Sequence, residues 1–186
     1  MSINFFSKAS LVSLALLCSV GASAQVYVGI GTGQNRWQNH CSGRIVCDTN
    51  SPATKLFAGY TLDNNFAIEM SAFNSGSMVV QGGNDSGSEE KVKGFDLVGV
   101  YHYGLNDRLS VFGKAGFARL NESYRSLHSG GVMTQKTSTT SPVLGIGLKY
   151  QINKEIALRT EYEIRRVNGT SDRRVNTFTV GAQYSF

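Results

Sequence analysis

Apolar and polar residues alternate along most of this chain, and the stretch ALRTEYEIRR, residues 157–166, carries the pattern at its sharpest. Arg159, Glu161, Glu163 and Arg165 share one parity; Leu158, Thr160, Tyr162 and Ile164 share the other. A period of two places the rows on opposite faces of a β-strand. A helix would instead pair Arg159 with Glu163 and Glu161 with Arg165, four residues apart, so the neighbouring segments decide. They repeat the alternation. In TFTVGAQYSF, Phe178, Val180, Ala182, Tyr184 and Phe186 oppose Thr177, Thr179, Gly181, Gln183 and Ser185. LGIGLKY sets Leu144, Ile146, Leu148 and Tyr150 against Gly145, Gly147 and Lys149, and FAIEM sets Phe66, Ile68 and Met70 against Ala67 and Glu69. In FDLVGVYHY, Phe95, Leu97, Tyr101 and Tyr103 oppose Asp96 and His102. One run is mixed: Lys114 assigns its even positions to the polar side, and Phe112 and Leu120 go with it.

Eight runs of this kind are predicted strands: 26–33, 54–61, 66–75, 91–103, 109–123, 142–151, 155–167 and 174–186. They are rich in Val, Ile, Tyr, Phe and Thr, bounded by Gly, Asn, Asp and Ser clusters. Pro52 and Pro142 stand at predicted strand starts, where a missing donor is tolerated.

The connections alternate in length. LDNN (62–65), GLND (104–107) and INKE (152–155) read as tight turns, whereas 34–53, 76–90 and 124–141 read as long polar loops, with a shorter one at 168–172. Short turns at one end and long loops at the other describe an up-and-down meander, the asymmetry of outer-membrane barrels. The runs, 8 to 15 residues long, fit a tilted crossing, which takes about 9–11 residues. Tyr60, Phe66, Tyr101, Tyr103, Tyr150, Tyr184 and Phe186 all lie near a short turn or the C-terminus. Aromatic rings at one height mark a membrane–water interface.

The predicted fold is therefore all-β: a closed eight-stranded antiparallel up-and-down transmembrane barrel, with apolar rows toward lipid and polar rows toward the lumen. Closure is required, because an open sheet edge in hydrocarbon strands backbone donors and acceptors. Eight strands enclose a lumen that side chains fill, so charges within it must pair. The expected network has Glu69, Asp96, Glu161 and Glu163 as acids and Lys114, Lys149, Arg159 and Arg165 as bases. Four of each balance, an arrangement that tolerates burial and argues against a conducting pore. The competing reading is a soluble periplasmic β-domain whose charged rows face water.

The amino terminus changes the picture next. Lys8, an apolar run over 11–20 and the small residues Ala22, Ser23 and Ala24 form a secretory signal peptide, 1–24. The expected mature domain is then 25–186, with a net charge of +4 once Lys8 is removed from the +5 of the whole chain. Cys18 raises a lipoprotein alternative, against which Leu17 stands where a small residue is needed. No later apolar run reaches the roughly 18 residues of a membrane helix. Export also gives meaning to HCSGRIVC: Cys41 and Cys47 are expected to form a disulfide in the oxidising envelope. The alternative, a metal held with His40, lacks a fourth ligand nearby.

With these runs, the glycine-rich start VYVGIGTG and the ending TFTVGAQYSF in place, the chain resembles the small outer-membrane barrels of the OmpA transmembrane-domain and OmpX-like kind. The resemblance spans the expected mature chain. It implies an outer-membrane location and a structural or surface-interaction role: envelope integrity, adhesion or contact with lipopolysaccharide. It implies that Val180, Ala182, Tyr184 and Phe186 form the signal read by the outer-membrane assembly machinery. It concerns the barrel alone and implies nothing about cell-wall anchoring.

Candidate chemistry changes little. A lipid A-modifying enzyme would need a His and a Ser together on a membrane-facing strand. His128 and Ser129 fall in a predicted loop, His102 beside a short turn and His40 in the cysteine segment. No catalytic residue, metal ligand or cofactor is assigned, and no motif indicates nucleic acid. GIGTGQ, 29–34, is not followed by a helix and is not read as a phosphate loop. Arg36, Arg44, Arg125, Lys136, Arg166, Arg173 and Arg174 enrich the loops in positive charge. The expected partners are outer-membrane lipids and lipopolysaccharide, the assembly machinery, and host or surface ligands reached through the long loops.

Overall fold

Alternation becomes a closed wall in the computed structural model, which describes residues 26–38, 46–48, 50–81, 87–128, 131–168 and 172–186. The strands are β1 (Val26–Gln38), β2 (Val46–Asp48), β3 (Asn50–Thr61), β4 (Phe66–Gln81), β5 (Gly87–Gly104), β6 (Leu109–His128), β7 (Gly131–Gln151), β8 (Ile156–Asn168) and β9 (Asp172–Ser185). Eight of them form the ring β1-β3-β4-β5-β6-β7-β8-β9, all antiparallel. Pairing of β1 with β9, from Tyr27 opposite Ser185 to Gln38 opposite Arg174, closes it. The expected signal peptide lies outside the described residues.

The three tight turns share one solution. Asp63, Asn106 and Asn153 each place a side-chain oxygen to accept from the N–H groups two and three residues ahead: Asn65 and Phe66, Arg108 and Leu109, Glu155 and Ile156. Such Asx turns satisfy backbone donors that the ladder has just released. At Asp63 the same two N–H groups hold the carboxyl below its ordinary value.

At the opposite end the expectation needs correcting. The segments expected as loops at 76–90 and 124–141 are largely paired: Gln81 faces Gly87, and His128 faces Gly131. The 124–141 segment is rich in Ser and Thr and has no alternating apolar row, and in 76–90 the short apolar run 78–80 breaks off at Gly82 and Gly83, so periodicity missed strands held by the backbone ladder. The short β2 also falls in an expected loop. β4 outruns β3, whose pairing stops at Thr54 opposite Asn74, and β2 covers the edge left at Val79–Gln81. A bulge between Asn74 and Ser77 bends β4 there, with Gly76 at φ 64°. Pro142 lies inside β7 rather than at its start, just before pairing with β8 begins at Val143. One side of β7 is free at that point.

Glycines on the wall make room for rings in the lumen. A Cβ on Gly59 would stand 2.1 Å from the Tyr27 ring, and one on Gly147 would stand 2.3 Å from that of Phe112. The packed interior therefore depends on where side chains are missing as well as on where they are present.

Candidate functional site

The interior is the most organised chemical feature, and β8 supplies half of its charge. Arg159, Glu161, Glu163 and Arg165 point inward from alternate positions, and all are 3 % exposed or less. Glu69 comes from β4, Asp96 from β5 and Lys114 from β6, each at 4 % or less. Arg159 reaches Glu69 at 2.7 Å through Nη1 and Glu161 at 2.7 Å through Nη2. Arg165 bridges Asp96 at 2.7 Å and Glu163 at 2.9 Å. Lys114 contacts Glu161 at 2.5 Å and also pairs with Glu163.

One inward base of the expected list stands outside the ion pairs, and one paired base is missing from that list. Lys149 faces inward but makes no ion pair with a described carboxylate; it is only partly buried, in the turn-end mouth beside His102, Gln183 and Tyr27. Its cross-strand partner is Arg159, a like charge already committed to Glu69 and Glu161. Lys55 takes the fourth cationic place, 2.6 Å from Glu161, 3.0 Å from Glu163 and 3.5 Å from Glu69. The signal for it was available: Lys55 shares parity with Ala53, Phe57 and Gly59, all buried on β3. The ionic cluster is thus four acids against Lys55, Lys114, Arg159 and Arg165.

Aromatic faces and hydroxyls complete it. The Arg159 guanidinium lies 4.4 Å from the Phe57 ring centre and 4.5 Å from that of Phe112, and Arg165 lies 4.2 Å from Phe73. Rings present negative faces to these cations without adding charge. The Tyr27 hydroxyl donates to Glu69 at 3.1 Å, and the Ser71 hydroxyl donates to Asp96. Gln183 accepts from Arg159 at 3.2 Å.

Toward the loop end large apolar side chains stand among buried polar ones, Asn35, Ser51, Ser75 and Glu90. Trp37, Val92, Leu120 and Val175 are each 4 % exposed or less and belong to one cluster. Trp37, within the 34–53 segment expected as a loop, points inward and donates from Nε1 to the Ser51 hydroxyl at 3.0 Å. Phe112 and Leu120 also point inward, at 1 % exposure.

The outer face is apolar. Ile30, Leu56, Met70, Phe95, Leu97, Phe117, Leu144 and Ile146 are more than half exposed there. The aromatic residues near the turns, Tyr60, Phe66, Tyr101, Tyr103, Tyr150, Tyr184 and Phe186, are all exposed. The expected assembly residues Val180, Ala182, Tyr184 and Phe186 sit on the same outward row of β9, and the Phe186 N–H donates to Val26 at 3.0 Å.

Other candidates separate. Cys41, His40 and Ser129 lie outside the described residues, as does the Cys47 side chain. His128 closes the β6–β7 ribbon opposite Gly131. His102 packs 5.4 Å from the Phe112 ring, and its Nδ1 has no hydrogen-bond partner. Among the described residues no cluster of His, Cys, Asp and Glu suits a metal ion. Among the described residues no helix is long and apolar enough to cross a membrane, which says nothing of strands.

A family model described as the OmpA-like transmembrane domain matches residues 21–186. The chain is 30 % identical over 170 residues to outer membrane protein A of Salmonella typhi, covering 86 % of this chain and 48 % of that relative. It thus spans about half the length of that relative. Among solved structures, the attachment invasion locus protein Ail of Yersinia pestis, crystallised with the heparin analogue sucrose octasulfate, aligns with a TM-score of 0.60. That match has 20 % identity and covers 87 % of this chain and 98 % of Ail. Neisserial surface protein A aligns with a TM-score of 0.62 at 12 % identity, over 90 % of this chain and all of that one (100 %). At such identities the likeness is one of fold.

Proposed function

The chain belongs to the OmpA-like transmembrane domain family and is an integral outer-membrane β-barrel; from that premise we propose that its work is structural and adhesive rather than catalytic. The barrel holds the envelope together through its contact with lipid and lipopolysaccharide, and its loop end presents a basic surface to anionic ligands. The observation that carries the reading is the filled lumen. Eight ionised side chains, each 4 % exposed or less, neutralise one another across five strands, which supports a lumen without a conducting passage at mid-height.

The loop end supports the second half. Arg36, Arg125, Lys136, Arg166 and Arg174 are exposed on the ribbons above the apolar band. Arg166 and Arg174 are direct cross-strand partners, a like-charge pairing that costs stability unless an anion lies between. Phosphate-rich lipopolysaccharide or a sulfated surface polysaccharide supplies one. The complex of Ail with a sulfated sugar is in keeping with this use of the fold. We further propose that Val180, Ala182, Tyr184 and Phe186 are read by the assembly machinery, that Cys41 and Cys47 form a disulfide, and that residues 1–24 are removed on export.

The test is a deletion strain. Loss of the gene is expected to raise sensitivity to detergent, leave the mass spectrum of lipid A unchanged, and reduce binding of cells to immobilised heparin. An altered lipid A spectrum would establish an enzyme and end the structural reading.

A further inference from the structure

The lipid-facing wall is not uniformly convex. A groove of about 800 Å³ crosses β9, β1, β3, β4 and β5 on the outside of the barrel. It follows a single register line: Gly181 faces Gly31, Gly31 faces Lys55, Lys55 faces Phe73, and Phe73 faces Gly94. These five residues direct their side chains, where they have them, into the lumen, so the groove floor is backbone.

Its two banks differ in chemistry. On the turn-end side run Ala182, Ile30, Leu56, Ala72 and Phe95, cross-strand neighbours in that order and all apolar. On the loop-end side run Val180, Thr32, Thr54, Asn74 and Lys93, again neighbours in that order and polar after the first. The groove also climbs. Val180 lies five residues from the turn-end terminus of β9 at Ser185, whereas Lys93 lies eleven from that of β5 at Gly104. At about 3.3 Å per residue, reduced by strand tilt, the course rises from mid-bilayer to the loop-end interface. The five strands span about 19 Å along it.

At the upper end positive charge awaits a partner. Lys93 is exposed and flanked across the strands by Asn74 and Asn121. Arg119, opposite Phe95, donates to the Thr140 hydroxyl at 3.1 Å. Neither cation enters an ion pair among the described residues. Lys91, two residues further on, is neutralised by Glu89 at 2.9 Å. An apolar trough ending in unneutralised cations at the interface matches a lipid with an acyl chain and a phosphate.

We propose that this groove is a specific site for an outer-leaflet phosphorylated glycolipid of the lipid A type, its acyl chain lying between the two banks and its phosphate on Lys93 and Arg119. The inference rests on the lipopolysaccharide contact above and assigns it a place on the wall. The occupant is argued from charge complementarity and from the direction of the climb. Dispersion contacts along the floor replace those of mobile bulk lipid, and the phosphate sets the chain's register.

The test uses the full chain folded into phosphatidylcholine nanodiscs doped with purified lipid A, then released for native mass spectrometry. Wild type is expected to retain one lipid A. Ala72→Phe and, independently, Ala182→Phe fill the trough from outside without touching the lumen, and either is expected to abolish retention. Lys93→Gln is expected to weaken it about fivefold, the worth of one interfacial cation. Leu148→Phe, on the far wall, is expected to leave it unchanged. A heat-modifiable gel band checks that each variant folds. Retention by the filled variants equal to wild type, or equal retention of lipid A stripped of its phosphates, overturns the proposal. Detergent resistance of cells carrying Ala72→Phe separates the two readings, since it persists if the structural role stands without the groove.

Discussion

The middle of the lumen and its loop-end cap are buried to the same degree by opposite means. In the middle, Arg159, Arg165, Lys55 and Lys114 lock Glu69, Asp96, Glu161 and Glu163 at contact distance. In the cap, Trp37, Val92, Leu120 and Val175 supply most of the volume, with Asn35, Ser51, Ser75 and Glu90 buried among them. The ionic part gains little net energy from being ionic, because desolvation offsets the Coulomb attraction. Its value lies in specificity: each charge is tolerated only where its partners stand. At the apolar positions of the cap, such as Leu120, a side chain of suitable volume serves, whereas Trp37 also needs its Ser51 acceptor. A barrel wall whose outside is apolar has no hydrophobic drive to keep its inside polar or apolar, so both solutions coexist in one cylinder.

The largest effect expected from breaking this contrast is at Arg159. Arg159→Ala leaves Glu69 and Glu161 short of a cation and is expected to cost about 3–5 kcal/mol in urea unfolding from bilayers. A cost like that of a surface change would show that water reaches the middle of the lumen. Next, Lys55→Met is expected to cost about 3 kcal/mol, while Lys149→Met, in the half-open mouth, stays within about 0.5 kcal/mol. Equal costs would erase the distinction drawn between the two lysines. Leu120→Ala in the cap is expected to cost about 2–3 kcal/mol, and Leu120→Met much less, since volume rather than identity matters there.

The smallest effect lies outside both regions, at the 62–65 turn. Two backbone N–H groups lower the Asp63 carboxyl from its ordinary value of 3.8. A folded value below the unfolded one contributes stability above the unfolded value and loses it as pH falls through the folded one. Protection of the Asn65 and Phe66 amides from hydrogen exchange should therefore weaken only in acid, and Asp63→Asn should remove that dependence. Amides of the Asn153 turn, which lacks a titrating cap, serve as the control.

Period two was enough to place the outward rows of β4, β5, β7, β8 and β9 and the turns between them, because a pleated strand alternates its faces whatever surrounds it. It also placed seven of the eight charged lumen residues, since parity alone sends Glu69, Asp96, Lys114 and the β8 charges inward. Parity could not say which inward lysine is paired. Lys55 and Lys149 share the same face of their strands, and only the stagger of the closed wall brings one beside Glu161 and leaves the other near the rim. The ribbons 77–81 with 87–91, and 124–128 with 131–135, were illegible for a related reason: neither carries an alternating apolar row, and their pairing is held by backbone partners. The inward turn of Trp37 was likewise decided by closure, which set an enclosed cap where a linear reading saw a loop. Local alternation is written in the chain, whereas height within the cylinder is a relation among eight strands at once, and no single strand contains it.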